Sequence, residues 1–401
     1  MYNVRKVCDD TYWLGASDRR LELFENNYPL PNGMSYNNYC IVDDKTCLMD
    51  GIDDAVTRQF FDNLAYALHG RSLDYMVVQH MEPDHCAAIP ELMRLYPDLK
   101  IVASAKAIGM IKQFYGLDVS GQSIVIKEGD TLELGHHTLQ FIGAPMVHWP
   151  EVMVSFDTAT GALFSADAFG SFGAVGGTIF ADEVDWERDW SDEARRYYVN
   201  IVGRFGAQVT VLLKKAAALK LKMLLPLHGH VWRENFDLIL DRYSKWASYT
   251  PEVNSVAIFY GSVYGNTANA SDILAVKLAE RGIKNILVYD SSKTNTSELV
   301  SRAFQYSTLV FASSTYNTEV FDGMDTLLSE LKKHNLSNRT VALIDNGTWA
   351  PTANRKMKEM VEAMKNMTIL EPLISIRSAV NEENLAQLDE LADAIVASLN
   401  Q

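Results

Sequence analysis

The stretch LDYMVVQHMEPDHC (residues 73–86) joins a short apolar run to a dense group of potential metal ligands. The run LDYMVVQH predicts a buried β-strand that ends at His80, and the proline three residues later stiffens the exit from the sheet. Alternate side chains of an extended segment share a face, so we expect His80, Glu82 and Asp84 to converge. His85 would lie next to that point. The stretch therefore predicts a metal site at a strand end.

Three further polar residues follow apolar, strand-like runs in the first half of the chain. LQFIGAPMVHWPE leads to His148, GALFSADAFG to Asp167, and LKMLLPLHGHVWR to His228. Each has a simpler explanation when taken alone, such as a turn residue or an aspartate bonded to backbone amides. Open sheets, however, place their sites at the carboxyl ends of strands. Imidazole and carboxylate ligands without a thiolate favour iron over zinc.

The second half of the chain follows a different pattern. After SYTPEVNS (residues 248–255) five apolar strands alternate with five helical segments, beginning with SVAIFY and ending with NEENLAQLDELADAIVASL. This alternation predicts a doubly wound, parallel five-stranded sheet with strand order 2-1-3-4-5. The boundary is expected near Thr250–Pro251, giving domains of residues 1–250 and 251–401.

Three loops at strand ends of this second domain predict a ligand cradle. IFYGSVYGNTANA opens the first helix with glycine and hydroxyl residues, which point donors at an anion, and it lacks the lysine of a nucleoside triphosphate loop. The loops SSTYNTEVF and IDNGTWAPT meet it at the topological switch point. The predicted contact residues are Ser262, Tyr264, Gly265, Asn266, Thr267, Ser314, Thr315, Tyr316, Asn317, Asn346, Gly347, Thr348 and Trp349.

These motifs together resemble the flavodiiron proteins. The pattern H-x-E-x-D-H with HWPE, LFSADAFG and LHGHVWR is similar to the metal signature of the metallo-β-lactamase fold, in the form with Glu82 where most hydrolases have histidine. The second half resembles a flavodoxin, so the resemblance covers essentially the whole chain. It implies a metallo-β-lactamase-like αββα sandwich carrying a diiron site, followed by a flavodoxin-like domain that binds FMN.

The resemblance also implies the roles of individual residues. One iron would be bound by His80, Glu82 and His148, the other by Asp84, His85 and His228, with Asp167 bridging the two. In the flavodoxin-like domain, Trp349 would stack on the flavin ring.

The activity implied by the resemblance is reduction of O₂ to water, of NO to N₂O, or of both. Electrons would come from a separate donor, a rubredoxin-like protein or a reduced deazaflavin. A head-to-tail homodimer, or a dimer of dimers, would bring one subunit's FMN beside the other's irons. Two alternatives remain open at this point. The first is a metal-dependent hydrolase of the metallo-β-lactamase fold fused to a flavodoxin. The second is a pure electron carrier whose metal domain is structural.

Composition and charge limit the classes of binding partner, the cellular location and the additional modules that the chain can have. Asp and Glu number 51 against 36 Lys and Arg, a net charge of −15 that disfavours nucleic acid and anionic membranes. No apolar run suits a membrane helix and no signal peptide is visible, so we expect a cytoplasmic protein. The four cysteines form no C-x-x-C pair and hence no rubredoxin module. Cys86 is expected to be a small buried residue, His230 to lie outside the ligand set, and His136 and His137 to lie at the surface.

Overall fold

The computed structural model describes residues 1–400, which form two compact units. The first unit comprises Met1–Tyr198 and Ala207–Ser244, and the second comprises Val199–Gly206 and the chain from Lys245 onward. The short segment Val199–Gly206 thus lies in the second unit, although its neighbours in sequence lie in the first.

The first part of the chain contains sixteen strands and eight α-helices. The strands are β1 (Arg5–Cys8), β2 (Thr11–Trp13), β3 (Ala16–Asp18), β4 (Leu23–Phe24), β5 (Tyr28–Pro29), β6 (Met34–Tyr36), β7 (Tyr39–Val42), β8 (Thr46–Met49), β9 (Tyr75–Val78), β10 (Lys100–Ser104), β11 (Ser123–Ile126), β12 (Thr131–Glu133), β13 (Thr138–Gly143), β14 (Met153–Asp157), β15 (Ala162–Phe164) and β16 (Met223–Leu225). The helices are α1 (Thr57–Leu68), α2 (Pro83–Cys86), α3 (Ile89–Leu95), α4 (Ala105–Tyr115), α5 (Trp186–Asp189), α6 (Ser191–Tyr197), α7 (Gly206–Ala217) and α8 (Phe236–Ala247).

Two sheets share the core of the first unit. One has the order β1-β2-β7-β8-β9-β10-β11 and the other β12-β13-β14-β15-β16, while β3-β6 and β4-β5 form separate pairs. Trp13, Ile41 and Val77 of the first sheet belong to the same buried cluster as Phe141 and Phe164 of the second. Helices α1 and α4 contact the first sheet. This is the metallo-β-lactamase-like sandwich that the resemblance implies, and the prediction is confirmed.

The segment after β9 differs from the sequence prediction. The strand ends at Val78 rather than at His80, and the chain is extended only as far as Glu82, whose φ and ψ are −63° and 139°. The next four residues form α2, with Pro83 at its first turn, where proline is well tolerated because its missing N–H has no partner in a helix. The expectation that Asp84 shares an extended face with His80 is therefore wrong.

The surface prediction for His137 is also wrong. His136 is exposed, but His137 is buried, and its Nδ1 lies 2.8 Å from Oδ2 of Asp157. Asp157 ends β14, which pairs with β13 directly after the histidine turn. A carboxylate supplied by a neighbouring strand thus makes burial of the imidazole favourable.

The second part of the chain contains seven strands and five α-helices. The strands are β17 (Val253–Gly261), β18 (Leu287–Asp290), β19 (Tyr306–Tyr316), β20 (Glu319–Val320), β21 (Arg339–Asn346), β22 (Met367–Ile369) and β23 (Ile374–Ile376). The helices are α9 (Asn266–Glu280), α10 (Thr296–Gln305), α11 (Asp322–Lys333), α12 (Ala353–Glu362) and α13 (Glu382–Leu399).

The sheet of the second unit confirms the predicted topology. Its order β18-β17-β19-β21-β22 is parallel throughout and corresponds to 2-1-3-4-5. The fifth strand is split into β22 and β23, both paired with β21, because the connecting residues include Pro372, which cannot donate to the ladder. Helices α9 and α13 share one buried cluster with the sheet.

A buried arginine braces the start of β21. Arg339 is almost inaccessible to solvent, and its guanidinium donates to the backbone carbonyls of Tyr249, Ala303, Phe304 and Ser337 at 2.5–3.2 Å. Burial lowers the pKa of this group to about 9. A charged side chain therefore satisfies carbonyl groups at the end of α10 and in neighbouring loops, at the end of the sheet where β21 begins.

None of the helices formed by residues 1–400 combines the length and the apolar character needed to cross a bilayer.

Candidate functional site

Four of the predicted ligands form a first cluster. Oε2 of Glu82 lies 3.2 Å from Nε2 of His80 and 3.0 Å from Nε2 of His148. Oδ2 of Asp167 lies 3.3 and 3.1 Å from the same two nitrogens. All four side chains are buried. They arrive from the end of β9 and from the loops that follow β13 and β15, so the strand ends bring them together.

The remaining three ligands form a second cluster beside the first. Oδ2 of Asp84 lies 3.3 Å from Nε2 of both His85 and His228. The other oxygen of Asp167, Oδ1, lies 3.2 Å from Nε2 of His85 and 3.6 Å from that of His228. One carboxylate thus presents one oxygen to each cluster, which is the arrangement of a bridging ligand.

The buried polar atoms of this region test whether metal ions fit. Both carboxylate oxygens of Asp84 and Asp167, both ring nitrogens of His85 and Nε2 of His228 are buried without a hydrogen-bond partner in the described chain. Buried polar atoms are normally paired. Nitrogen and oxygen donors about 2.1 Å from one metal are separated by roughly 3 Å, which matches the observed spacing. The seven residues therefore fit a pair of cations.

The charges of the clustered groups perturb one another strongly. Burial raises the pKa of Asp84 to about 8, and nearby Glu82 and Asp167 act in the same direction. Burial opposes charge on His148, but Asp167 and Glu82 raise its pKa to about 9. Against its own burial, the carboxylate of Asp167 has a pKa well below its usual value because His85 and His80 face it. Such mutual dependence is typical of functional sites.

Second contacts orient two of the imidazoles. Nδ1 of His80 lies 2.9 Å from Oε1 of Glu151, and Nδ1 of His228 donates to the carbonyl oxygen of Ser35 at 2.7 Å. Each contact occupies the nitrogen that points away from the cluster, which leaves Nε2 to face inward. The contact between Glu151 and His80 was not predicted from the sequence. The only signal for it was the glutamate at the end of the HWPE motif.

The walls of the clusters include residues that carried no sequence signal. Glu25 is an exposed residue whose carboxyl lies against Glu82, and partial burial of that carboxyl together with the contact raises its pKa to about 8. The ring of Phe24 lies 5.6 Å from that of His228, edge to face. Tyr197 is buried with its ring 5.5 Å from that of His228. The buried rings of Phe24 and Tyr197 limit access of water to the second cluster.

Cys86 and His230 lie outside both clusters. Sγ of Cys86 is 3.2 Å from the carbonyl oxygen of Met81 and 3.1 Å from the hydroxyl of Tyr115, and the side chain is buried as predicted. His230 is buried against Trp190, with ring centroids 4.3 Å apart, and burial lowers its pKa to about 4.

The three predicted loops of the second unit surround a cavity of about 410 Å³. Of the thirteen predicted contact residues, Gly265 alone is not in its lining; it precedes α9 with φ of 94°. The lining residues are Ser262, Val263, Tyr264, Asn266, Thr267, Ser314, Thr315, Tyr316, Asn317, Thr318, Asn346, Gly347, Thr348, Trp349, Ala350 and Ser378. Ser378, which sequence reasoning missed, follows β23, so the end of the fifth strand was a usable signal.

The cavity is built from neutral donors and exposed rings. Thr267 and Ser314 join two of the loops through hydroxyls 2.9 Å apart, at the start of α9. Amide hydrogens at a helix N-terminus favour an anionic group. Tyr264 and Trp349 are 94% and 86% exposed, so two aromatic faces at the cavity are free to cover a planar ligand. The arrangement fits a planar ring with a phosphate tail.

Comparisons with known proteins agree with this geometry. The family model described as ODP family beta lactamase matches residues 34–229. Over 349 residues the chain is 30% identical to the anaerobic nitric oxide reductase flavorubredoxin of Escherichia coli (strain SMS-3-5), covering 86% of this chain and 72% of that protein.

Two solved structures resemble the whole chain. Rubredoxin oxygen:oxidoreductase from Desulfovibrio gigas has a TM-score of 0.92 and 24% identity, and a variant of the flavo di-iron protein from Thermotoga maritima has 0.90 and 26%. Each match covers 99% of this chain and 98% of the other. By fold, ligand clusters and relationship, this chain belongs to the flavodiiron protein family.

Proposed function

We propose that this chain is a flavodiiron reductase that moves electrons from an external donor through FMN to two irons, where O₂ is reduced to water, NO to N₂O, or both. The observation that carries the proposal is the division of Asp167 between two clusters of buried ligands. A shared carboxylate is suited to two metals acting together rather than to one structural ion.

The residues of the first unit would hold the irons in two sets. His80, Glu82 and His148 would bind the first and Asp84, His85 and His228 the second, with Asp167 between them. Bound iron would supply a change of valence and Lewis acidity at oxygen or nitrogen atoms of the substrate. The buried side chains around the clusters keep the ligands oriented and exclude bulk water.

The cavity of the second unit would hold FMN. The hydroxyl and amide donors between Ser262 and Thr267 suit a phosphate that carries two negative charges, and Trp349 would stack on the flavin ring. Backbone amides of the residues that neighbour Gly347 would face the polar edge of the ring, since the N–H of Gly347 itself donates to the carbonyl oxygen of Ile376 at 3.0 Å. We place these groups in a flavodoxin-like domain of residues 251–401, and the metal centre in residues 1–250.

The relationship to a nitric oxide reductase favours this function over the two alternatives. The E. coli relative is a reductase by name, and it matches this chain over most of its length. A hydrolase would use metal ions of fixed valence, and a pure electron carrier would need no paired clusters. The buried charge concentrated at Glu82, Asp84 and Asp167 supports a working metal centre.

We also propose a separate electron donor and a symmetric assembly. The donor would be a rubredoxin-like protein or a reduced deazaflavin, and the assembly a head-to-tail homodimer or a dimer of dimers. Sedimentation of the purified holoprotein tests the assembly. A strictly monomeric and fully active enzyme would contradict it.

The function is tested by purifying the protein without added metal and measuring iron, zinc and FMN. Consumption of O₂ and of NO is then followed in parallel with each candidate donor. We expect two irons and one FMN per chain, with turnover that depends on the donor. A colourless protein that contains only zinc and has no reductase activity would refute the proposal.

A further inference from the structure

The two ligand clusters differ in the hydrogen-bond partners of their histidine Nδ1 atoms, the ring nitrogens that point away from the cluster. In the first cluster, Nδ1 of His80 faces a carboxylate, Oε1 of Glu151, at 2.9 Å. In the second, Nδ1 of His228 donates to a neutral carbonyl, that of Ser35, and Nδ1 of His85 has no hydrogen-bond partner in the part of the chain described. The buried carboxylate of Asp50 acts on His85 without a hydrogen bond to it, so a carboxylate hydrogen-bonded behind a ligating imidazole is a feature of the first cluster.

The position of the Glu151 carboxylate is fixed by the surrounding chain. Glu151 is 2% exposed, and its Oε1 also accepts from the backbone N–H of Met81 at 2.9 Å. Its own carbonyl oxygen accepts from the hydroxyl of Ser104 at 3.2 Å. The N–H of Met81 thus fixes the side-chain oxygen, and Ser104 fixes the backbone of the same residue, so the contact with His80 is buried and not a chance contact at the surface.

We propose that Glu151 is a positioning residue that makes the two metals unequal. Its carboxylate keeps the proton of His80 on Nδ1, so the lone pair of Nε2 faces the first cluster. It also places a negative charge in direct contact with an imidazole of that cluster, whereas the direct hydrogen-bond acceptor behind the second cluster is a neutral carbonyl. The first metal is therefore held more tightly, and its higher valence is favoured relative to that of the second. This inference rests on the proposed metal centre.

Removal of a partner of this kind typically weakens metal binding by 10–100-fold. Glu151→Gln retains an oxygen acceptor of nearly the same shape and removes the charge, whereas Glu151→Ala removes both. We expect Glu151→Gln to release one of the two metals more readily, by roughly 10-fold, and Glu151→Ala to do so by up to about 100-fold. The second metal should be retained as in the unchanged protein.

The experiment is chelator competition on the purified holoprotein, followed by Mössbauer spectra of protein loaded with ⁵⁷Fe. We expect Glu151→Gln to shift the signal of one iron and to leave the other unchanged. Circular dichroism of each variant verifies that the fold is intact. If both irons are lost equally, or if neither the affinities nor the spectra change, the proposal is overturned.

Asp157→Asn is a matched control, because Asp157 faces Nδ1 of His137 at 2.8 Å in the same way but away from the clusters. It should leave both metal affinities and both iron signals unchanged, and a loss of metal equal to that of Glu151→Gln would overturn the proposal. The competition is repeated with Zn²⁺. A natively zinc-loaded protein would refute the reductase function, while unequal release of the two zinc ions would still support the role of Glu151.

Discussion

The two ligand clusters and the cavity proposed for FMN represent two ways of building a binding site. The clusters consist of buried titratable groups, several of whose polar atoms have no hydrogen-bond partner in the described chain, and they lie at the ends of several strands. The cavity consists of neutral hydroxyls and amides on three loops, with Tyr264 and Trp349 largely exposed. The first kind of site needs its ligand for electrostatic reasons, because a bound cation offsets the free-energy cost of unpaired buried charges. The second kind depends on shape and many weak contacts.

The largest expected effect comes from Asp167→Asn, which removes the charge shared by both clusters. Both metals should be weakened, each by 100-fold or more, because loss of an outer partner alone costs 10–100-fold. Metal analysis after dialysis against a chelator measures this loss. Asp84→Asn is the control and should affect mainly the second cluster. An Asp167→Asn protein that keeps two irons would show that the clusters do not depend on this buried charge, contrary to the comparison with the cavity.

Arg339→Met tests whether the stability of the second unit depends on the hydrogen bonds at the start of β21 rather than on the loops that line the cavity. Several carbonyls would lose their charged donor, at a cost of about 3 kcal/mol or more. We expect flavin release on heating to occur roughly 6–12 °C lower. Flavin fluorescence reports this transition. Arg355→Met, which removes an exposed ion pair with Glu359, should have little effect.

Trp349→Ala should weaken FMN binding by about tenfold, which corresponds to roughly 1.4 kcal/mol of ring stacking. The side chain is exposed, so the fold should not change. Titration of the FMN-free protein with FMN, followed by flavin fluorescence, measures the affinity. Iron content is determined on the same sample. Trp349→Phe should restore most of the binding. An unchanged affinity for FMN would show that the ring is held elsewhere.

The smallest effect concerns a buried charged pair that binds no ligand. The hydrogen bond with Asp157 raises the pKa of His137, and, against burial, His137 and Thr160 lower that of Asp157. Because its pKa is raised in the fold, His137 stabilises the fold below about pH 6.5. Because its pKa is lowered, Asp157 stabilises the fold above about pH 3.9. The contribution is therefore complete between these values, is lost at higher pH as His137 deprotonates, and is lost at lower pH as Asp157 protonates.

Asp157→Asn should accordingly cost about 1 kcal/mol near pH 5.5 and less at pH 9. Calorimetry of the first unit's transition at the two pH values measures the difference. An equal loss at both values would mean that the pair acts by packing and not by charge.

Prediction from sequence succeeded where local pattern and chemistry coincide. Apolar runs that lead to His80, His148, Asp167 and His228 indicated strands whose ends converge at one edge, and the structure brings these side chains together there, while their role as metal ligands stays a prediction. The parallel order of the second sheet followed from its regular alternation of strands and helices. The predicted cavity loops also lie together for that reason.

The misses share a physical cause, which is pairing between residues distant in sequence. Glu151 and Glu25 reach the first cluster from segments whose patterns resemble ordinary turns. His137 is buried only because Asp157 lies beside it. The placement of Val199–Gly206 in the second unit likewise follows from tertiary packing and has no local signal. The helical turn after Glu82 could have been anticipated from Pro83 at its start.

The spacing of the ligands along the chain has a consequence for how the protein matures. His80, Glu82, Asp84 and His85 leave the ribosome within six residues, but His228 follows roughly 140 residues later. At 5–20 residues per second, that interval lasts roughly 7–30 s. Throughout it the nascent chain carries an incomplete, strongly polar half-site. If the clusters hold metal ions as proposed, the second ion can be bound completely only after His228 has been translated, when most of the first unit has already been made.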